Sequence, residues 1–431
     1  MKKIKPINLN NIFFLFLLLV LVNGRSFLGI FLFGFRIGEL LTGVCLLTYL
    51  IVFLRYKYFL KHIDKNFLVS NFILLIFFIT FFVTEGYDIT NLYIFKSSVY
   101  IWYISMFYLG LLLFSNFEIN KNYFLIGYVG LLLQYIFNVL YYPEFMKIFF
   151  QTYSDKVQFL KGSELGILFI VLTFFSNKFK KHDYYLHIFL LFSSIYLPLT
   201  IFKSRSAGIA IAVYIIIEIL RYREIFLSNI KRTITVIIFS ILLFSFTSHN
   251  LVDNTFELDE TTQAITQVFK HKYVVSNTFD DEVPLFYFYD GRMFSADGNL
   301  NWRLQLWQDV VIDSIESNYV FKGLGFAKTI PVFDDFIYSG VDGLNENTHN
   351  YFLNVYARTG LLGLAALFYF WINLLQQKLS LFSKSDLYLF LAPLIFISMF
   401  DGSMENPYFG LLIYFFLSSF VTGIKFTNKE Y

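Results

Sequence analysis

Residues 12–22 read Ile12-Phe13-Phe14-Leu15-Phe16-Leu17-Leu18-Leu19-Val20-Leu21-Val22, an unbroken apolar run behind Lys2, Lys3 and Lys5. A basic start followed by an apolar run has the form of a secretory signal. The next residues are Asn23-Gly24-Arg25-Ser26, however, and they contain no small-x-small cleavage site. The stretch therefore reads as an uncleaved anchor, although Arg25 interrupts a sequence that stays apolar to Phe35.

Runs of the same kind recur along the chain. A helix crossing roughly 30 Å of hydrocarbon needs about 20 mostly apolar residues. Such spans fall near 11–34, 37–54, 66–84, 95–115, 122–142 and 163–177, and again near 184–202, 206–220, 232–247, 351–374, 386–400 and 408–424. The expected fold is an all-α polytopic membrane protein with about twelve transmembrane helices and one large, partly helical outer loop. Three regions result: residues 1–247, a bundle of about nine spans; residues 248–348, the large loop; and residues 349–431, about three more spans.

Composition agrees. The 431 residues are 57% hydrophobic and 15% charged, with a mean hydropathy of +0.60, whereas an ordinary soluble chain is about a quarter charged. These totals exclude an ordinary soluble enzyme, a disordered chain and a disulfide scaffold. Cys45 alone cannot form an internal disulfide, and a net charge of +3 gives no ground for a nucleic-acid partner. Phe (58) and Tyr (31) are so abundant that a single aromatic residue says little about binding.

The basic residues orient the bundle. With both termini inside, the inner short segments hold 19 Lys and Arg against eight on the outer ones, as the positive-inside rule requires. The segment from Ser248 to Thr348 then lies outside. Trp302, Trp307, Leu304, Leu306, Val310, Val311 and Ile315 predict an amphipathic helix there, so the loop reads as a small folded cap and not as a linker. The cap holds 16 acidic residues against six basic ones. It contains the pairs Asp280-Asp281 and Asp334-Asp335 but neither Asp-x-Asp nor EF-hand spacing, so it reads as a solvated acidic surface with no metal site.

Three residues could carry chemistry. His349 stands where the cap returns to the bundle, in Asn345-Glu346-Asn347-Thr348-His349-Asn350-Tyr351. A neutral imidazole there could take a proton from a hydroxyl group near pH 7; the plainer reading is an interfacial histidine bonded to a cap backbone group. Arg205 lies in the outer turn Lys203-Ser204-Arg205-Ser206, where an arginine either snorkels to lipid phosphate or grips a diphosphate with its planar fork. Arg303 lies in Asn301-Trp302-Arg303-Leu304-Gln305-Leu306-Trp307, and in so acidic a cap a salt bridge is its ordinary role. A transporter or flippase is the competing class. It would place ionisable residues near the midplane and show inverted repeats. Here there is no such symmetry, Glu39 and Glu218 fall near span ends, and only Arg25 could lie deep.

The order of these pieces resembles the O-antigen ligase superfamily, which includes lipopolysaccharide O-antigen ligases and O-antigen and exopolysaccharide polymerases. Ser204-Arg205-Ser206-Ala207-Gly208 is similar to its Ser-Arg-x-x-Gly segment, and Arg303 with Trp307 to its Arg-x-x-x-Trp. Gly323-Leu324-Gly325 resembles its Gly-x-Gly turn, and Glu405-Asn406-Pro407 its last external turn. His349-Asn350, nine residues and then Gly360-Leu361-Leu362-Gly363 resemble the ligase pattern His-Asn-x9-Gly-x-x-Gly. The resemblance covers roughly residues 200–410. It implies a multi-pass protein of the bacterial inner membrane with cytoplasmic termini and a periplasmic loop. It also implies transfer of a glycan from undecaprenyl diphosphate to a hydroxyl acceptor by a metal-independent, inverting glycosyltransferase without cofactor. His349 would be the general base, and Arg205 and Arg303 would hold the donor diphosphate. The acceptor would be lipid A–core for a ligase, the reading preferred here, or the growing glycan for a polymerase. A protein O-oligosaccharyltransferase is a lesser branch.

Overall fold

The computed structural model describes residues 9–84, 92–116, 118–119, 123–154, 160–179, 183–253, 284–289, 291–335, 338, 346–405, 407–423 and 425–426. Lys2, Lys3, Lys5, Lys121, Lys156, Lys180, Lys181, His182, Lys270, Lys272, Asp280, Asp281, Asn345, Asn406 and Lys429 lie outside these residues.

An apolar segment away from water must satisfy its backbone internally, and a helix does so within one segment. The twelve apolar stretches are helical over most of their lengths. Leaving aside short turns at Tyr56–Phe59 and Arg223–Ser228, the helices among the described residues are, in chain order, α1 (Leu9–Leu28), α2 (Ile37–Leu54), α3 (Lys65–Thr84), the short α4 (Leu92–Ser97) and α5 (Val99–Trp102), α6 (Ser105–Asn116) and α7 (Tyr123–Tyr135). A π-turn over Ile136–Leu140 extends α7. They continue with α8 (Glu144–Tyr153), α9 (Gly162–Phe179), α10 (Asp183–Lys203), α11 (Arg205–Arg221), α12 (Ile230–Asp253), α13 (Gly298–Glu316), α14 (Tyr351–Gln376), α15 (Lys384–Phe400) and α16 (Pro407–Thr422). Among the described residues four helical stretches are long and apolar enough to cross a bilayer by length and composition: α2, Tyr185–Lys203 of α10, Ile230–Leu251 of α12, and α14.

Some boundaries differ from the sequence reading. The first span stops at Leu28, because the chain turns into a hairpin of β1 (Phe31–Leu32) and β2 (Phe35–Arg36), paired Phe31 to Arg36 and Leu32 to Phe35. The stretch 95–115 is three helices and not one, and α12 runs on to Asp253, inside the expected loop.

The core is aromatic. In α16 the residues Leu411–Leu417 are all buried, and the helix packs along α6, with Phe415 against Phe114 at 4.9 Å between ring centroids. Packing of α14 on α3 joins the chain's last third to its first.

Loops gather at two ends. At one end Ile30 bridges to Ser154, Ser97 Oγ donates to Phe326 O at 2.7 Å, and Lys96 pairs with Glu346 at 2.7 Å. At the other, β3 (Glu118–Ile119) runs parallel to β6 (Lys425–Phe426), and Asp64 N donates to Gln377 Oε1 at 2.9 Å. The cap sits on the first end. It is built from a hairpin of β4 (Phe286–Tyr289) and β5 (Arg292–Ser295), then α13 and a 3-10 turn at Pro331–Asp334. The amphipathic helix expected from Trp302 to Ile315 is α13. Leu306 and Val310 bury against Ile330, Val332, Phe333 and Tyr338, whereas Val311 and Ile315 are exposed, since they lie on the far side of the helix from that core.

Candidate functional site

The turn before α14, the end of α15, the start of α9 and the first turns of α13 converge at the cap end of the bundle. His349 directly precedes Asn350, whose side chain N-caps α14 by accepting from Leu353 N at 3.1 Å. The φ of His349 is +54°, in the left-handed region, which costs a residue with a Cβ roughly 1–2 kcal/mol. The neighbourhood holds that conformation. His349 N donates to Asn347 Oδ1 at 2.7 Å, Thr348 Oγ1 donates to Asn350 O at 2.9 Å, and Trp307 Nε1 donates to Thr348 O at 2.8 Å.

The imidazole stands edge-on to Trp302, 5.2 Å between centroids, and its Nδ1 is 3.8 Å from Asp401 Oδ1. That separation is too long for a hydrogen bond but within reach of an ion pair once the ring is protonated. Asp401 caps the end of α15, and its Oδ2 accepts from Ser163 Oγ at the start of α9. Burial pushes the pKa of His349 below the ordinary histidine value, while Asp401 pulls the other way and Lys161 and Arg303 add to the depression. Burial alone would raise the carboxyl of Asp401; His349, Lys161 and the Ser163 hydroxyl outweigh it and hold the group well below the carboxylate range. Burial thus favours the uncharged ring near neutral pH, beside a carboxylate held in its charged form.

Arg303 is the cationic neighbour of this pair. It lies in the first half of α13, whose N-cap Asp297 accepts from Leu300 N at 3.0 Å. Burial lowers the pKa of Arg303 against the opposing charges of Asp401 and Asp297, and its buried Nε has no hydrogen-bond partner among the described residues. A buried donor on a cation without a partner is costly, so an acceptor that reached this edge of the guanidinium would relieve that cost. Arg205 opens α11, where Ser204 is the N-cap, and its Nη1 pairs with Asp297 Oδ2. Its side chain is 79% exposed. Thus the three residues singled out in the sequence come together around Asp297 and Asp401, with His349 and Arg303 inside and Arg205 at the rim. Arg303 shows no hydrogen bond at Nε where a cap salt bridge was the ordinary reading.

The glycine motifs have a mechanical role. Gly360 breaks α14 at φ +64° and ψ −169°, a conformation essentially reserved for glycine. At that break the Gly323-Leu324-Gly325 turn lies against the helix backbone: Leu324 N donates to Ala357 O at 2.9 Å, Gly325 N to Arg358 O at 2.8 Å, and Leu361 N to Val320 O at 2.8 Å. A Cβ on Gly360 would sit 2.3 Å from the Phe321 backbone. Gly360, the first glycine of Gly-x-x-Gly, therefore seats the cap on a kinked helix. Arg358, buried in the same helix, donates to Gly325 O at 3.3 Å, to Lys328 O, and to Tyr93 Oη at 2.7 Å, clamping the turn.

Sequence reasoning missed Asp401, Ser163, Lys161 and Arg358 as parts of this arrangement. The one available signal was a carboxylate closing an apolar helix at Asp401-Gly402. Among the described residues no group of three or more His, Cys, Asp or Glu side chains could hold a metal ion.

Comparison with known families gives one finding: residues 188–368 match the family described as O-antigen ligase, and a domain of that family occupies this stretch. No curated protein matches the chain. The matched stretch contains Arg205, Arg303 and His349 and leaves Ser163 and Asp401 outside. The family implies a membrane glycosyltransferase of the O-antigen ligase and polymerase type, and the apolar helices agree with a membrane protein.

Proposed function

We propose that this protein transfers a glycan from an undecaprenyl-diphosphate-linked donor to a hydroxyl acceptor on the periplasmic face of the bacterial inner membrane, as an O-antigen ligase acting on lipid A–core. The observation that supports this reading best is the meeting, at the cap end of the bundle, of the His349 imidazole 3.8 Å from the Asp401 carboxylate with the buried Arg303 Nε, which has no hydrogen-bond partner among the described residues. In this reading all twelve apolar stretches cross the membrane, both termini are cytoplasmic and the cap is periplasmic.

The reaction has two electrostatic needs. As the acceptor oxygen attacks the anomeric carbon it must lose a proton, and as the bond from that carbon to the phosphate oxygen breaks, the leaving diphosphate gains charge. His349 meets the first. With Nδ1 turned to Asp401, the other ring nitrogen can accept the hydroxyl proton, and the carboxylate stabilises the imidazolium that forms. General-base catalysis of this kind contributes typically about 10²–10⁴-fold. Arg303, with Arg205 at the rim, meets the second through charge-assisted hydrogen bonds to the diphosphate oxygens. Undecaprenyl diphosphate departs, the new glycosidic bond forms with inversion in one displacement, and His349 releases its proton to water. The cations come from arginine, so the scheme has no step that requires a divalent metal.

The deciding experiment deletes the gene in its host and runs surface lipopolysaccharide beside the extracted lipid-linked glycans. Loss of all O-antigen from the core, with long polymer stranded on undecaprenyl diphosphate, supports the ligase reading. Core carrying a single repeat with no ladder would make the enzyme a polymerase. An unchanged pattern in both fractions would overturn the proposal.

A further inference from the structure

The most exposed large apolar side chain at the cap end of the bundle is also under backbone strain. Phe33, at the tip of the β1–β2 hairpin, is 97% exposed. Its φ is +52°, and Gly34 follows at +83°. Two consecutive positive φ values at the centre of a two-residue hairpin loop favour Asn or Gly at the first position. Phenylalanine there accepts the left-handed penalty of roughly 1–2 kcal/mol and gains no protein contact in return. Phe31, Leu32 and Phe35 beside it are exposed as well.

The hairpin is tied through the Ile30–Ser154 bridge to the end of α8. At 100° per residue, this helix divides into three arcs. Met146 and Phe150 turn towards the bundle, where they line a small cavity of mixed polar and apolar walls with Asn23, Ser26, Gln134 and Phe137. Glu144, Lys147 and Gln151 share a second, polar arc. Phe145, Ile148, Phe149 and Tyr153 form a third arc that is apolar and exposed. The hairpin also leads directly into α2, whose stripe Leu40, Val44, Leu47 and Ile51 is exposed on a helix apolar enough to cross a bilayer. Exposed apolar side chains therefore lie on a spanning helix, on the hairpin that leads into it and on the helix bridged to that hairpin, with only the Arg36–Glu39 pair between the hairpin and the α2 stripe.

We propose that the β1–β2 hairpin and α8 form a membrane seat whose occupant is phospholipid at the boundary between headgroups and acyl chains. The hairpin's direct connection to the lipid-facing stripe of α2 sets the height, and the polar arc beside the apolar one matches a helix lying in the interface plane. Lys147 and Arg36 flank this surface, each beside a carboxylate (Glu144 at 4.0 Å and Glu39 at 3.7 Å), and long basic side chains at such a depth commonly reach headgroup phosphates. The inference does not rest on the glycosyl-transfer reading.

The test uses the full chain in proteoliposomes of phosphatidylcholine and phosphatidylglycerol. Phe33→Trp and Phe149→Trp are made singly, and the fluorescence of the parent, with its four native tryptophans, is subtracted. The seat predicts that phospholipids brominated near the headgroup end of their chains remove most of the added fluorescence. Bromines near the chain ends should remove less, and aqueous acrylamide little. Strong acrylamide quenching with no effect of brominated lipid would mean a face in water. Protection from both would mean coverage by protein, such as a second copy. Either result overturns the proposal, and Phe145→Trp reports on the same arc if one of the first two variants fails to accumulate.

Discussion

At the scale of single residues, burial and the Asp401 carboxylate act on His349 in opposite directions. Burial favours the uncharged ring, and the carboxylate partly restores its basicity. If His349 is the base, its pKa lies below the ordinary histidine value of about 6.5, so the transfer rate should stay flat on acidification to that value and fall only below it. Asp401→Asn removes the charge that favours the imidazolium. The acid limb should then move to still lower pH, while the plateau rate falls at least about ten-fold because the ring loses its orienting partner. A pH–rate profile of purified variant against parent reads both effects, and an acid limb moving upward would contradict the pairing. Arg303→Lys keeps a cation but loses the planar fork. It should lose roughly ten-fold or more in kcat/KM for the lipid-linked donor, with Arg303→Ala losing more; equal rates in parent and both variants would remove Arg303 from the diphosphate site. His349, Arg205 and Arg303 were legible in the sequence because their types and surroundings have chemical meaning by themselves. Asp401 was not, because a carboxylate closing an apolar helix is ordinary until the fold brings it to 3.8 Å from an imidazole.

At the scale of elements, three helices that frame the site are pinned at their opposite ends. Asp386 near the start of α15 pairs with Lys178 near the end of α9 at 2.7 Å and with Arg221 at the end of α11. Arg221 also lies 3.6 Å from Glu218, which accepts from Asn177 at 3.1 Å. At their other ends these helices bear Ser163, Arg205 and Asp401. Removing one member of a buried ion pair leaves charge stranded and costs about 3 kcal/mol or more, so Asp386→Asn should lower the thermal midpoint in detergent by several degrees. Gly360→Ala should be worse than its size implies. Strain of roughly 1–3 kcal/mol adds to a backbone clash with Phe321, and both the midpoint and transfer activity should fall. A Gly360→Ala protein as stable as the parent would mean that the kink is not needed to seat the cap. The helix positions were readable because apolar length forces helix. The hairpin at 31–36 and the interruptions in 95–115 were not, since a run of apolar residues does not say where its backbone will turn.

At the scale of the whole molecule, the structure sets a polar cap and the candidate site on one end of an aromatic bundle and an ionic cluster at the other. If arginine alone neutralises the departing diphosphate, transfer by the purified protein should proceed at full rate in excess EDTA, and restoration of a lost rate by a divalent ion would contradict the scheme. The amino-acid sequence by itself determined the membrane-protein character, the positions of the helices, the amphipathic helix of the cap and the three polar residues, because hydropathy, period and side-chain chemistry are local properties. Only the tertiary structure decided that Ser163, His349, Arg303 and Asp401 lie together, that Gly323 and Gly360 meet as backbone against backbone, and that Val311 and Ile315 face outward. Each of these depends on contacts between segments tens to hundreds of residues apart, and no local pattern encodes which of many similar apolar helices will lie side by side.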